Sequence, residues 1–192
     1  MTIFPVREKN IPLNIRNTNE PDHPGTLITE SFVEAPNPER FVTGIAGKCD
    51  FSIVTVSKKG LSGAVGTLRA ILEVFENNSI PVAHTPSGID CISLAMPTEA
   101  LTPNQYSLLD ELRSEIRPDS IQINDHIAVI AVVGRKMAFR VGTSGKIFAA
   151  LGKAGINIRM ISQGPDEQAI ILGVDNKDYA DAIRVLDNAF VK

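Results

Sequence analysis

Phe51-Ser-Ile-Val-Thr-Val-Ser57, followed by Gly60-Leu-Ser-Gly-Ala-Val-Gly66 and Thr67-Leu-Arg-Ala-Ile-Leu-Glu-Val-Phe-Glu-Asn77, is the stretch that decides the fold. The first segment alternates apolar and polar residues with the period of a half-buried strand. Gly60 to Gly66 forms a flexible turn that opens a helix over about Thr67–Asn77. In that helix Leu68, Ile71, Leu72 and Phe75 share one face, which needs a sheet beneath it.

Forward of this unit, Ile80–Thr85 and Ile89–Met96 read as strands joined across Pro86-Ser87-Gly88, where Gly tolerates positive φ and Pro fixes its own. A second helix over about Pro103–Ile116 and a short strand Ser120–Asn124 complete the order strand, helix, strand, strand, helix, strand. That order is ferredoxin-like. The pattern then begins again, with Ile127–Val133 as strand and a Gly-rich turn around Gly142–Gly145. A helix to about Leu151, strands Asn157–Ser162 and Ala169–Val174, and a helix Asp178–Phe190 follow. This is an internal repeat. Its second copy lacks a sixth element, which would leave a sheet edge unpaired. The apolar run Phe41–Ala46 is the spare strand, so the sequence predicts that it crosses over to complete the second module.

The fold expected is therefore α+β: two ferredoxin-like (βαββαβ) modules, the first inserted within the second. The first module would span 49–125 and the second 41–48 plus 126–192. Residues 1–40 are rich in Asn, Pro and Glu. Extended patches at Ile11–Ile15 and Thr26–Thr29 are separated by Pro21, Pro24 and Gly25, so this segment reads as a connector, partly disordered over 1–37.

Composition excludes several classes. The chain has 192 residues, 43% hydrophobic and 21% charged, the balance of an ordinary globular protein. A formal net charge of -3 provides no basic footprint for nucleic acid. No apolar run is long enough to cross a membrane, and no signal peptide precedes the folded body, so the expected location is cytoplasmic. The two cysteines, Cys49 and Cys91, are far apart without metal-ligand spacing, and they read as reduced, small buried hydrophobes. His23, His84 and His126 form no pair at ligand spacing. Neither a nucleophile with its base nor a metal set is visible, so no catalytic residue and no metal site is expected.

The glycine turn Gly60–Gly66 lacks the Lys-Ser/Thr ending of a P-loop. Its N–H groups, at a helix start, would suit the carboxylate of a free amino acid, and a tight strand-to-helix turn is the bland alternative. Gly142-Thr-Ser-Gly145 has the same form in the second repeat, with a weaker claim.

Three segments carry a family resemblance. Ile11-Pro-Leu-Asn-Ile-Arg-Asn-Thr-Asn-Glu-Pro-Asp-His-Pro-Gly-Thr-Leu-Ile28 resembles the junction at the end of an aspartokinase catalytic domain. Val54-Thr-Val-Ser-Lys58 and His84-Thr-Pro-Ser-Gly-Ile-Asp90 resemble the first ACT module of that family. Ala154-Gly-Ile-Asn-Ile-Arg-Met-Ile-Ser-Gln-Gly164 resembles the second.

The resemblance implies a regulatory region of an enzyme that phosphorylates aspartate. The fragment itself would be non-catalytic and cofactor-free, since the Lys-Phe-Gly-Gly nucleotide motif is missing. ATP and Mg would be used by the missing kinase domain. It implies that lysine and/or threonine binds where two first modules meet in a homodimer. The carried-over site comprises Leu61, Ser62, Gly63, Ala64, Val65, Gly66 and Leu68, Val82 and Ala83, and Ser87, Gly88, Ile89 and Asp90. Backbone groups at Gly63–Gly66 would hold the effector carboxylate, and residues near Ala83 and Asp90 would set selectivity. Ala83 stands where lysine-sensitive members often have an acid, which leaves Asp90 as the candidate ammonium partner. Asn157, Ile158, Met160, Ser162 and Gln163 would pack modules side by side, with a second effector site as the alternative. A ligand-free oligomerisation module is the competing function.

Overall fold

The computed structural model describes residues 4–9, 11–29, 42–134, 137–164 and 168–190. The chain divides into two compact units, Met1–Glu39 and Arg40–Lys192. The first unit holds a short helix α1 (Phe4–Glu8) and a two-stranded antiparallel hairpin, β1 (Leu13–Ile15) with β2 (Thr26–Ile28). Both extended patches read from the sequence therefore become strands, and they pair with each other. His23 Nδ1 accepts from the Gly25 N–H at 3.1 Å inside the intervening loop. The expectation of partial disorder over 1–37 falls partly on residues 1–3, 10 and 30–37, which lie outside the described residues.

The second unit is built on two long antiparallel strands, β3 (Val42–Ser57) and β5 (Ser120–Gly134), which pair along nearly their whole length. The sequence reads each as two separate strands, yet each is continuous. Its near half belongs to one module and its far half to the other. Val42–Lys48 pairs with Val129–Gly134, so the spare strand does join the second repeat; Phe41 lies outside the described residues.

The fused strands bend where the modules meet. Asp50 has φ 63 and His126 has φ 60, left-handed values that a non-Gly residue seldom adopts, and the β3–β5 register shifts between Lys48 and Phe51. Asn176 holds the bend: the Asp50 N–H donates to Asn176 Oδ1 at 3.2 Å and Asn176 Nδ2 donates to Asp50 Oδ1 at 2.8 Å.

Around this pair the sheet runs β4-β3-β5-β7-β6, with β4 at Cys91–Pro97, β6 at Met160–Ser162 and β7 at Ala169–Asp175. Helices α2 (Thr67–Asn77), α3 (Thr98–Leu101) and α4 (Gln105–Glu111) belong to the first module, α4 running on through a wider turn to Ile116. Helices α5 (Thr143–Lys153) and α6 (Tyr179–Phe190) belong to the second. The fold is two ferredoxin-like modules, the first inserted within the second.

Three apolar clusters follow. Val54, Val56, Ile71, Phe75, Leu94 and Leu108 centre the first module's core. Ile130, Val132, Ile147, Leu151, Leu172 and Leu186 centre the second. A third cluster, Phe51, Ile53, Ala95, Ile127, Val129 and Met160, fills the angle where the modules join. Alternation along β3 explains the division, since Val54 and Val56 face one side of the sheet and Phe51 and Ile53 the other. Ser52, fully buried, is satisfied by donating to Asp125 Oδ1 at 2.6 Å and lying 2.9 Å from Thr98 Oγ1.

Several sequence expectations are corrected. Ile80–Thr85 forms no regular ladder: it touches β4 through one isolated bridge, His84 with Ala95, because Pro81 and Pro86 supply no N–H. The turn into β4 closes two residues later than expected, with the Gly88 N–H donating to Cys91 O at 2.8 Å and Ile89 and Asp90 at its corner. Gly88 does not have positive φ; a Cβ there would lie 2.9 Å from Cys91 Sγ, so it is small for space rather than for conformation. Asn157 and Ile158 precede β6 instead of lying on it. The buried face of α2 consists of Ile71, Val74 and Phe75, whereas Leu68 and Leu72 are 48% and 37% exposed.

Both cysteines are half-buried rather than fully buried, and neither is in a disulfide. Burial pushes the Cys49 thiol above its usual range, and the neighbouring Asp50 carboxylate adds to this. The proton is held more tightly in the folded chain than in the unfolded one. Alkylation of Cys49 is therefore expected to be slow at neutral pH, to speed up only as pH rises past the ordinary thiol range, and to lose this delay in denaturant. Mass-spectrometric alkylation rates with and without urea measure it, and equal rates would contradict the assignment.

Candidate functional site

The turn before α2 is tied down by its neighbours. The Gly60 N–H donates to Asp90 Oδ1 at 2.7 Å, the Lys58 N–H to Asp90 O at 2.8 Å and the Ser62 N–H to Ile89 O at 3.1 Å. These bonds bring the start of the turn, Lys58–Ser62, against Ile89–Asp90. Asp90, however, has one carboxylate oxygen committed to the turn itself. Leu61 points into the core, 8% exposed, and presents no side chain to a ligand.

Of the N–H groups at Gly63–Gly66, two are used within the turn: Gly63 donates to Gly60 O at 3.1 Å and Ala64 to Leu61 O at 3.3 Å. Val65 and Gly66 make no such bond. Gly66 sits at φ 84 as the helix N-cap, with no side chain capping the first turn. The open donors of Val65 and Gly66 thus sit beside the unsatisfied N–H groups at the positive end of the helix, a place that favours an anion. Val65 is fully exposed beside them.

From this anion end a shallow trough runs along the outward stripe of α2. One stretch is lined by Gly66, Leu68, Arg69, Leu72, Glu73 and Glu76. It continues, sharing Leu72 and Glu76, into a stretch lined by Phe75, Ser79, Ile80, Pro81 and Val82. Gly66, Leu68 and Val82 are therefore brought to one surface. Ala83, Ser87, Gly88 and Ile89 do not line it. Ala83 donates its N–H to Ala95 O at 2.8 Å, and Ser87 bridges to Ile92.

The acids of this trough are Glu73 and Glu76, neither of which stood out in the sequence. Glu73 is engaged by Arg69 at 2.8 Å, an exposed pair one turn apart. Glu76 lies four residues beyond Leu72 on the same stripe, and that spacing is the signal that could have found it.

The second repeat reproduces the turn without the acid. Gly142, φ 83, caps α5 as Gly66 caps α2; Met137 is buried where Leu61 is, and Val141 is fully exposed where Val65 is. Counting from the two capping glycines, Glu76 corresponds to Gly152 and Leu72 to Phe148. Of the residues expected to pack modules, Met160 is buried in the junction cluster and Ile158 packs against the second core. Asn157 and Gln163 are exposed.

Among the described residues no group of His, Cys, Asp and Glu could hold a metal ion, and no helix is long and apolar enough to cross a membrane.

The ACT domain family profile matches residues 130–190. Aspartokinase 3 of Bacillus subtilis is 29% identical over 189 residues, which take in 98% of this chain and 41% of that enzyme, so the chain spans well under half the length of that relative. The crystal structure of Clostridium acetobutylicum aspartate kinase matches with a TM-score of 0.90 at 40% identity, over 98% of this chain and 43% of that one. A crystal structure of aspartokinase alpha and beta subunits matches at 30% identity with a TM-score of 0.67, over 79% of this chain and 99% of the chain compared.

Proposed function

The chain belongs to the aspartokinase family, as a regulatory region of paired ACT modules, and from that membership we propose that it binds an end-product amino acid, lysine or threonine, to exert feedback control on aspartate phosphorylation by a catalytic domain. The observation that carries this reading is the polarity of the α2 trough, with open N–H donors at Gly66 and free acid at Glu76.

Length decides how the trough is used. Ten residues of helix separate Gly66 from Glu76, about 15 Å at 1.5 Å per residue, longer than one extended lysine. A second copy related by two-fold symmetry near Leu72 removes the difficulty. An isologous contact lays the two α2 helices antiparallel, so the Gly66 end of one copy meets the Glu76 end of the other. The exposed Leu68 and Leu72 supply the apolar contact for that pairing. The effector carboxylate then rests on Val65 and Gly66, and a lysine ammonium finds Glu76 across the interface. A ligand held by both copies favours one arrangement of the pair, which is what allosteric control requires.

The same apolar stripe would serve a ligand-free oligomerisation module, so the two readings are separated by ligand response. Lysine and threonine are expected to raise the melting temperature by several degrees, since a ligand at a hundredfold excess over Kd adds about 2.7 kcal/mol to the folded form. Glu76→Gln should abolish the lysine shift and spare that of threonine, which has no side-chain ammonium. Asp90→Asn should spare both, because the amide oxygen can still accept from Gly60. No shift with either amino acid supports the ligand-free module. Loss of the lysine shift in Asp90→Asn alone returns the ammonium site to Asp90.

A further inference from the structure

The helix-free side of the sheet carries a second concavity, remote in character from the α2 trough. It encloses about 250 Å³ and is lined by residues of both modules. Its floor is apolar: Ile53, Ile127 and Met160 are 5%, 1% and 6% exposed. Its polar wall holds two hydroxyls, Thr55 Oγ1 and Ser93 Oγ, 2.9 Å apart.

Arg159 also lines the cleft, the only cation to do so among the described residues. Its guanidinium is held by two acceptors, donating to Asp175 Oδ1 at 3.0 Å and to Asn124 Oδ1 at 3.3 Å. A guanidinium has five N–H donors in a fixed fork, so a tethered arginine still has donors to offer and little freedom to lose when it uses them.

We propose that this cleft is a binding site for a short aliphatic carboxylate, aliphatic amino acids included, with the carboxylate on Arg159 and the hydroxyls and the hydrocarbon on Ile53, Ile127 and Met160. The chemistry of the lining selects that class. One guanidinium already partnered by one carboxylate suits a single negative charge better than the two of a phosphate. Among the described residues no aromatic side chain lines the cleft, which leaves a nucleobase nothing to stack on. The apolar floor covers an aliphatic hydrocarbon by burial alone.

The position gives the site a consequence. Thr55 and Ser93 belong to the first module, while Arg159 and Met160 belong to the second, so an occupant touches both sides of the bend at Asp50 and His126. It would bias the angle between modules wherever that angle differs between states. This site is independent of the effector site on α2.

The test is a backbone-amide NMR titration of the full chain with isocaproate, with leucine, and with isocaproamide as the uncharged control. Saturable shifts are expected at Thr55, Ser93, Ile127 and Met160 with the two carboxylates, and binding of the amide about ten- to a hundredfold weaker, the usual cost of losing one charge-assisted pair. Arg159→Met should weaken isocaproate by a similar factor. Because that change also frees Asp175, Ser93→Phe supplies a second variant. Ser93 stands in the polar wall of the cleft, on the opposite face of β4 from Ile92 and Leu94 of the first core, so a ring there fills the cleft and leaves the arginine untouched. Glu76→Gln, which disables the other site, should leave these shifts unchanged. No saturable shift at millimolar probe, equal binding of acid and amide, or binding that survives Ser93→Phe would each overturn the proposal.

Discussion

Phe75→Ala is expected to lower stability by about 3–5 kcal/mol and to lower it for both modules together. Phe75 is 1% exposed at the centre of the first core, against Ile71, Leu94 and Leu108. Removing the ring loses its burial and leaves a cavity that the helices and strand around it cannot close. The second half of the expectation comes from the shared strands. β3 and β5 carry core residues of both modules, Val54 and Val56 on one side of the bend and Ile130 and Val132 on the other. Unfolding one module therefore strips backbone partners from the other. Urea denaturation followed by a reporter in each module should show one coincident transition, moved to lower denaturant without a change in slope. Two separated transitions, with the second module unaffected by the change, would show that the strands do not couple them.

Gly47→Ala is expected to cost about 1–3 kcal/mol, the usual penalty of overpacking, although alanine is normally the better strand residue. A Cβ at Gly47 would lie 2.7 Å from Tyr179 Cε2 and 2.9 Å from Val129 O. The ring could swing away only by giving up the hydrogen bond from Tyr179 Oη to Gly47 O, 3.0 Å. The carbonyl belongs to the β3–β5 ladder and cannot retreat without disturbing it. Gly44→Ala, three residues earlier on the same strand, meets nothing within 4 Å and serves as the control. It should be neutral or slightly stabilising, and a thermal melt showing equal effects at the two glycines would exclude the steric explanation.

Much of the fold was legible because its signals were local. The ends of α2 followed from Gly66 and from the apolar period of Ile71 and Phe75, and the second repeat followed from the same pattern around Gly142. The missing sixth element of that repeat was enough to indicate that the run before the first module pairs with it. The continuity of β3 and β5 was not legible. Their bends fall on Asp50 and His126, types that tolerate positive φ but that, standing singly between apolar runs, do not tell a bend within one strand from a loop between two; Asn176 ties Asp50 in place from a distance in sequence that no local pattern reveals.

The proposed site was legible at its glycine end and obscured at its acidic end. Leu68 and Leu72 lie within the same apolar arc as Ile71, and periodicity alone does not separate a stripe that meets the core from one that meets solvent. Glu76 becomes notable only once that outward stripe is recognised. Asp90 was the candidate ammonium partner because Ala83 offers no acid, yet it folds back on the Gly60 N–H, a contact set by a turn whose end was read two residues early.

The insertion of one module within the other also has a meaning in time. During synthesis Val42–Lys48 leaves the ribosome before any of the strand that will pair with it, Val129–Gly134, has been made. The whole first module lies between them, a delay of several seconds at about 5–20 residues per second. The first module can assemble during that interval, but it emerges with an apolar strand half projecting from its sheet and no partner to cover it. The nascent chain is thus most exposed to misassociation just when half of it is finished. Val42–Lys48 stays uncovered until the far half of β5, the strand it pairs with, has been translated.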